Sequence, residues 1–242
     1  MKHNNLHNLT ELQKTLRTHK DPASASNPRF FKTGEGDYAE HDQFMGVTVP
    51  VLRKLAKTFE DLSLIDIKKL LQSPFNEERQ LALFILVNHY KAGSQTEKTR
   101  IYDFYLKHLA YVNNWNLVDA SAHLIIGAEL FSKTNKEKTI LKTLSISDNL
   151  WERRVAIVST WTFIQNNHFE WTLKIAKQLL KDNHDLIHKA VGWMLREVGK
   201  KDTQVLITFL DQHAPKMPRT MLRYAIEHFS ADERKMYLQR SL

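Results

Sequence analysis

Apolar side chains recur along most of this chain at the three- and four-residue spacing of a helix surface. The spacing is clear over residues 51–59 and 64–71, and similar runs follow to the end of the sequence. An earlier run predicts a helix over residues 6–19, with Asn8 or Thr10 as its N-cap. Residues 21–46 break the pattern, because Pro, Ser and Gly concentrate there, and they predict a loop or short-helix segment.

A small residue recurs in the later helices. Five predicted helices carry an alanine at a similar place, and these alanines are 38, 36, 34 and 35 residues apart: Ala82, Ala120, Ala156, Ala190 and Ala225. Polar residues suited to N-caps precede four of them: Asn76, Asn114, Asp148 with Asn149, and Asn183. A period in the thirties is typical of stacked helical hairpins.

These patterns predict an all-α fold, an α-solenoid of HEAT-like helical repeats. The second helices of the pairs are expected to form a concave basic face. We expect one domain over residues 1–242, with a helix and a loop or short-helix segment over 1–46 and stacked repeats over 47–242. The 7 glycines and 6 prolines fit this prediction, since no proline occurs between Phe75 and Ala214.

Composition narrows the function classes. The absence of cysteine excludes disulfides, thiolate metal sites and cysteine nucleophiles, and it fits a reducing cytoplasm. No apolar stretch reaches the ~18 residues of a membrane span. The formal net charge of +8 favours an acidic partner, although plain solubility would also account for it.

Several polar residues stand out within the repeated helices. Trp115 and Asp119 are four residues apart and share a helix face. Gly192 inside a predicted helix suggests a close approach by another group. Basic residues recur near one register in successive repeats: Arg153, Arg154, Lys189, Arg196, Arg219 and Arg223.

Each of these residues also has an ordinary structural interpretation. We assign Trp161 and Trp171 to the core. Each arginine, considered alone, is what one expects on a solvent-exposed helix face. Asp119 suits an ordinary salt bridge as well as a catalytic role. His184 and His188 imitate a zinc-binding pair, but no third ligand is evident and His184 stands at a helix start, so no metal site is expected.

Four short motifs resemble the AlkD-type DNA alkylation repair glycosylases. They are FMGVTVPVLR at residues 44–53, NWNLVD at 114–119, DNLWERRVAI at 148–157 and KAVGWMLRE at 189–197. The likeness runs from about residue 30 to about residue 230. The chain departs from the family pattern at Thr48 and in an insertion-like stretch over residues 34–42.

The resemblance implies a HEAT-like-repeat DNA glycosylase that removes cationic N3- and N7-alkylated purines, such as 3-methyladenine and 7-methylguanine, from double-stranded DNA without flipping the base. The catalytic aspartate falls on Asp119, the two sugar-cradling tryptophans on Trp115 and Trp193, and the active-site arginine on Arg154. We expect DNA contacts from Arg154, Lys189, Arg223, Arg153 and Arg53. We expect no metal, no cofactor and no membrane, and a monomer in the bacterial cytoplasm that associates with the nucleoid when it binds DNA.

The sequence is also consistent with two other classes of protein. A non-catalytic DNA-binding solenoid would bind DNA in a salt-sensitive way and release no base. A protein-binding scaffold is the usual role of HEAT repeats without chemistry, but it has no need for basic residues at one register. Asp119 separates the glycosylase from the non-catalytic DNA-binding solenoid, because a carboxylate on a DNA-facing surface repels phosphate and only catalysis gives a reason for it.

Overall fold

A computed structural model describes residues 8–26 and 30–240, and it is built from helices. Over these residues there is no β-strand, and Gln43 and Phe75 form an isolated parallel bridge. The helices are α1 (Leu9–Arg17), α2 (Pro22–Ser26), α3 (Val49–Thr58), α4 (Leu64–Leu71), α5 (Asn76–Ala92), α6 (Gln95–Lys107), α7 (Trp115–Ala122), α8 (Ala128–Phe131), α9 (Asn135–Ser145), α10 (Leu150–Ser159), α11 (Trp161–Gln165), α12 (Glu170–Gln178), α13 (Asp185–Lys201), α14 (Thr203–His213), α15 (Arg219–Ala225) and α16 (Ala231–Arg240). The predicted all-α class is confirmed.

Short tighter or wider helical turns join some of these helices. Leu109–Tyr111, Leu179–Lys181 and Ala214–Lys216 are 3₁₀ turns, and His123–Gly127 is a π-helical segment between α7 and α8. Over the described part of the chain, no helix is both long and apolar enough to span a membrane.

Polar caps fix several helix starts where the sequence predicts them. The Asn8 side chain accepts a hydrogen bond from the Glu11 amide and begins α1, while the predicted start at residue 6 lies outside the described residues. Asn149 caps α10 by accepting from the Trp151 amide. The predicted caps at Asn76 and Asn183 are wrong, because Phe75 and His184 hold those positions.

The contacts divide the chain into two compact units, which meet along the sequence between Ser121 and Ala122. In the first unit, α3 and α4 pack against α5, which is buried over most of its length. In the second unit, α13 packs against α10, α14 and α15, and α9 packs against α10. The expectation of a single domain over 1–242 stays a prediction.

The repeated alanines lie on the second helix of each pair. Ala82, Ala156, Ala190 and Ala225 are buried, and Ala120 is half-buried. A small side chain at this position lets a neighbouring helix approach closely. The alanine period agrees with the contacts at α5, α10 and α13, which pack against the preceding helices α4, α9 and α12.

A second repeated feature ties each of three second helices to its preceding loop. Arg79 Nη1 donates to the Ser73 carbonyl at 2.8 Å, and Arg153 Nη1 donates to the Ser147 carbonyl at 2.9 Å. His188 Nε2 lies 2.5 Å from the Asp182 carbonyl. In each case the side chain reaches back six residues, so the same local geometry recurs with arginine or histidine.

Candidate active site

Helix α7 carries Trp115 and Asp119 on one face. Its start is fixed by Asn114, whose side chain accepts from the Trp115 amide at 2.7 Å and whose carbonyl accepts from the Val118 amide. Leu117 and Val118 are fully buried and anchor the helix in the first unit. Trp115 and Asp119 are half-buried, so both side chains keep some contact with solvent.

A buried carboxylate holds the beginning of α7. Asp42 accepts from the side-chain amides of Asn76 and Asn114, both at 2.8 Å, and it forms an ion pair with Arg79. Asn76 also accepts from the Asn116 side chain at 2.7 Å. Because the acceptor oxygens of Asp42 are satisfied by these groups, the starts of α5 and α7 are held to one point of the segment over residues 30–46.

A second polar contact lies within the electrostatic influence of Asp119. The Ser121 hydroxyl donates to the Leu117 carbonyl at 2.6 Å, so the Tyr105 hydroxyl, 2.8 Å away, donates to Ser121. Burial raises the pKa of Tyr105, and the charge of Asp119 raises it further, against the lowering effect of the bond to Ser121. Tyr105 therefore stays a neutral donor in the neighbourhood of Asp119.

Phe31 stacks on Trp115. The two ring centroids are 5.1 Å apart with an angle of 20° between the planes, and Phe44 packs on Phe31 at 4.7 Å. The segment that the sequence predicts as a loop thus supplies one wall beside Trp115. Phe30, the preceding residue, is 75% exposed.

In the second unit, Trp193 lies on α13 at the end of an aromatic row. Trp161 meets it edge-on at 5.0 Å, and His123 contacts Trp161 at 4.5 Å. The assignment of Trp161 to the core is wrong, since the residue is half-buried and packs beside Trp193. The assignment of Trp171 to the core is also wrong, because its indole nitrogen bonds Asn135 at a half-exposed position.

The adjacent arginines of α10 have different surroundings. Arg154 is 5% exposed, and its Nη1 donates to the Leu186 carbonyl at 2.5 Å, which joins α10 to the start of α13. Arg153 donates through Nε to Asp182 at 2.6 Å and through Nη1 to two loop carbonyls at 2.9 Å. Both guanidinium groups thus bond to protein acceptors, and their DNA contacts stay predictions.

The other predicted DNA-binding residues are more exposed. Lys189 pairs with Asp185 at 2.7 Å, and this hydrogen bond is the main reason that the pKa of Asp185 is lowered. Arg223 is exposed on α15. Arg53, in the first unit, is exposed and lies 4.3 Å from the centre of the Phe84 ring, so its charge is held against an aromatic face.

The close packing of two helices accounts for the glycine at position 192. A Cβ at this position would lie 2.5 Å from both the Met221 carbonyl oxygen and the Tyr224 Cβ, so α15 approaches α13 at the glycine. The predicted close approach is confirmed, and the approaching group is protein.

The histidine pair is occupied by helix-start contacts. His184 Nδ1 accepts from the Leu186 amide, and His188 contacts the Asp182 carbonyl. Burial is the first cause of the lowered pKa of His184. Across the described residues, no three His, Asp or Glu side chains form a group that could hold a metal ion.

Comparison with protein families identifies the family to which the chain belongs. The model of the family described as DNA alkylation repair enzyme matches residues 12–229, which is most of the chain. The chain belongs to this family. It therefore has a role in DNA repair, and its family is described as one of enzymes.

A solved structure supports the same fold. The chain is similar to a protein described as a predicted DNA alkylation repair enzyme from Enterococcus faecalis, with a TM-score of 0.68 and 18% identity over 88% of this chain and 98% of the other. This likeness confirms the solenoid fold predicted from the repeats. Comparison with curated proteins gives no significant match.

Sequence reasoning missed three residues that build the surroundings of the family motifs. Asp42 has no local signal, since its partners lie 34 to 72 residues further along the chain. Phe31 stands in a polar segment beside Phe30, and this aromatic pair was an available signal. Trp161 was recognised as apolar but not as the neighbour of Trp193.

Proposed function

We propose that this protein is a monofunctional DNA glycosylase that hydrolyses the N-glycosidic bond of cationic N3- and N7-alkylated purines, such as 3-methyladenine and 7-methylguanine, in duplex DNA. The observation that carries the proposal is the half-buried carboxylate of Asp119, one helical turn from Trp115, in a member of the DNA alkylation repair enzyme family. A carboxylate repels DNA, so its presence at a DNA-facing position needs a chemical reason.

The chemistry of the lesion supplies that reason. Alkylation at N3 or N7 makes the base positively charged, and when the bond to C1′ breaks, its electron pair returns to the ring and the base leaves neutral. No general acid is required, so one carboxylate suffices where most glycosidases use two. The deoxyribose becomes oxocarbenium-like as the bond breaks, and the negative charge of Asp119 stabilises it.

Asp119 also orients the attacking water. The water oxygen forms the new bond to C1′, and its proton passes to the carboxylate or to solvent. In this proposal the electron-rich face of Trp115 attracts the developing positive charge of the sugar, and Trp193 has the same role. Phe31 supports Trp115 by stacking on it.

The basic residues position the strand without reading its sequence. We assign phosphate contacts to Arg154, Lys189, Arg223, Arg153 and Arg53. Most enzymes that act on a base flip it into a pocket. Here the base stays stacked, and the lesion is selected by its charge and by the weakness of its glycosidic bond, so bulky cationic adducts are accepted.

In the cell the enzyme would act as a monomer in the bacterial cytoplasm, associated with the nucleoid when it binds DNA. It would need no metal and no cofactor, because the leaving group is already activated by its charge.

The test is release of free methylated purine from duplex DNA treated with a methylating agent, without added metal. Wild type, Asp119→Asn and Asp103→Asn are compared, since Asp103 is an exposed aspartate of α6 in the same unit. Release by wild type and Asp103→Asn, with loss in Asp119→Asn, supports the proposal. Full release by Asp119→Asn removes this residue from the mechanism.

No release by any form, with salt-dependent binding retained, would support the second candidate, a non-catalytic DNA-binding protein. The observation that favours this candidate is the excess of basic side chains, which gives the +8 net charge without any need for catalysis.

A further inference from the structure

The second unit contains a cationic cavity that the proposed function does not use. It has a volume of about 630 Å³, and neither aspartate nor glutamate is among the residues that line it. Five lysines contribute to its wall: Lys142, Lys174, Lys177, Lys181 and Lys216.

The charge of this lysine cavity is largely uncompensated. Lys174 pairs with Glu170 at 2.7 Å, whereas the other four lysines have no ion-pair partner among the described residues. The pKa of His213, which also lines the cavity, is lowered first by burial and then by repulsion from Lys177 and Lys216. Folding brings these like charges to one place at an electrostatic cost, which an anionic ligand would relieve.

The lysine cavity belongs to a different set of helices from the proposed active-site residues of this unit. Its lysines lie on α9, α12 and the 3₁₀ turns Leu179–Lys181 and Ala214–Lys216. Trp193, Lys189 and Arg223 lie on α13 and α15. A ligand of the lysine cavity therefore meets the first helices of the pairs, not the second.

An aromatic ring and an apolar extension accompany the charge. Trp171 lines the lysine cavity and is held by a bond from its indole nitrogen to Asn135 at 3.1 Å. A neighbouring cavity of about 480 Å³ shares Lys174, Lys177 and His213, and it adds the apolar side chains of Leu173 and Phe209 together with the carboxylates of Glu170 and Asp202. The lysine cavity itself thus places positive charge beside an aromatic ring, with Lys174 Nζ 5.0 Å from the centre of the Trp171 ring.

We infer that the lysine cavity binds a single strand of nucleic acid, with phosphates on the lysines and a base against Trp171. Positive charge interleaved with an aromatic ring is the combination that single-strand binding proteins use. The lining contains lysine but no arginine. Lysine binds a phosphate as a point charge, and the Trp171 ring beside these lysines suits a nucleic-acid base, which an acidic peptide does not carry.

The test is fluorescence anisotropy with an undamaged 12-nucleotide oligothymidine over a range of salt concentrations. A variant with Lys142→Gln, Lys177→Gln and Lys181→Gln is compared with wild type. The matched control carries Lys57→Gln, Lys68→Gln and Lys107→Gln, which are exposed lysines of the first unit. Each lost phosphate contact lowers the slope of log K against log salt by about 0.7, so the cavity variant is expected to lose roughly 2 and the control none.

An equal slope in the cavity variant and the wild type would overturn the inference. So would displacement of the strand by an oligoglutamate of the same charge as readily as by unlabelled oligothymidine, because that result would make the lysine cavity a site for an acidic protein.

Release of methylpurine from duplex DNA, measured in parallel, separates the two proposals. The cavity variant is expected to release base at the wild-type rate, and a parallel loss of release would make the lysine cavity part of the glycosylase site. Absence of release in every form would contradict the proposed glycosylase, while the oligothymidine slopes would still decide strand binding.

Discussion

At the scale of single residues, two arginines of the second unit, Arg153 and Arg223, make different contacts. Arg153 already donates to Asp182 and to the carbonyls of Ser147 and Asp148. Arg223 is exposed on α15, so its guanidinium is accessible to a ligand. The sequence gives both residues the same predicted role, whereas their contacts favour a structural role for Arg153 beside any contact with DNA.

Substitution of each arginine by glutamine distinguishes these roles. Arg223→Gln is expected to lower the slope of log K against log salt for duplex binding by about 0.9. It should leave the free energy of unfolding within about 0.5 kcal/mol of wild type. Arg153→Gln is expected to lower the free energy of unfolding by about 1–3 kcal/mol, because the buried carboxylate of Asp182 loses its charged donor.

Urea unfolding and fluorescence anisotropy on an undamaged duplex measure the two quantities. Wild-type stability in Arg153→Gln would show that its three hydrogen bonds contribute little to the fold. An unchanged salt slope in Arg223→Gln would show that this residue touches no phosphate.

At the scale of elements, α7 depends on the segment over residues 30–46. Asp42 of that segment bonds the side chains at the starts of α5 and α7, and Phe31 stacks on Trp115. The ion pair between Asp42 and Arg79 is almost fully buried, with side-chain exposures of 6% and 5%. Loss of one partner leaves the other charge without compensation in the interior.

Asp42→Asn is therefore expected to lower the free energy of unfolding by about 3–5 kcal/mol. Urea unfolding checks this value, and Glu35→Gln is the matched control, since Glu35 is an exposed carboxylate of the same segment. A loss as small as that of the control would mean that α7 does not depend on Asp42.

The elements also show how far sequence reasoning extends. Helix positions, the loop or short-helix segment and the paired repeats follow from local spacing, and the structure confirms them at Asn8, Asn149 and the repeated alanines. The same local reasoning places Asn76 at a cap, but its side chain instead bonds Asp42 and Asn116. Contacts across 34 to 72 residues leave no periodic signal, so this network was beyond prediction from one sequence.

Only part of the candidate site was predicted from the sequence as well. The site residues were predicted from the resemblance to a family, and membership of that family is confirmed. The tryptophans were judged by their apolar character alone, and this misplaced Trp161 and Trp171, whose half-buried positions depend on neighbours such as Trp193 and Asn135.

At the scale of the whole molecule, the proposed function pairs a positively charged protein with a positively charged lesion. In that proposal, the net charge of +8 attracts the phosphate backbone, and Asp119 supplies the one negative group that the mechanism requires. In the proposed mechanism, selection depends on the charge of the damaged base, because that base stays stacked and enters no pocket that reads its shape.

Two lesions that carry one methyl group on the same base test this selection. In matched duplexes, release of 7-methylguanine is expected to be at least about 100-fold faster than release of the uncharged O6-methylguanine, because only the first departs as a neutral base without an acid. Chromatography of the released bases measures both rates. Comparable rates for the two lesions would contradict selection by charge.

The most direct test of the central claim is single-turnover excision of 7-methylguanine from a defined duplex, with the affinity for that duplex measured in the same samples. Asp119→Asn keeps the size of the side chain and removes its charge. The account predicts a rate lower by about 10²–10³-fold, since the charge acts in the transition state, with affinity equal to wild type or tighter. A wild-type rate in Asp119→Asn would contradict it.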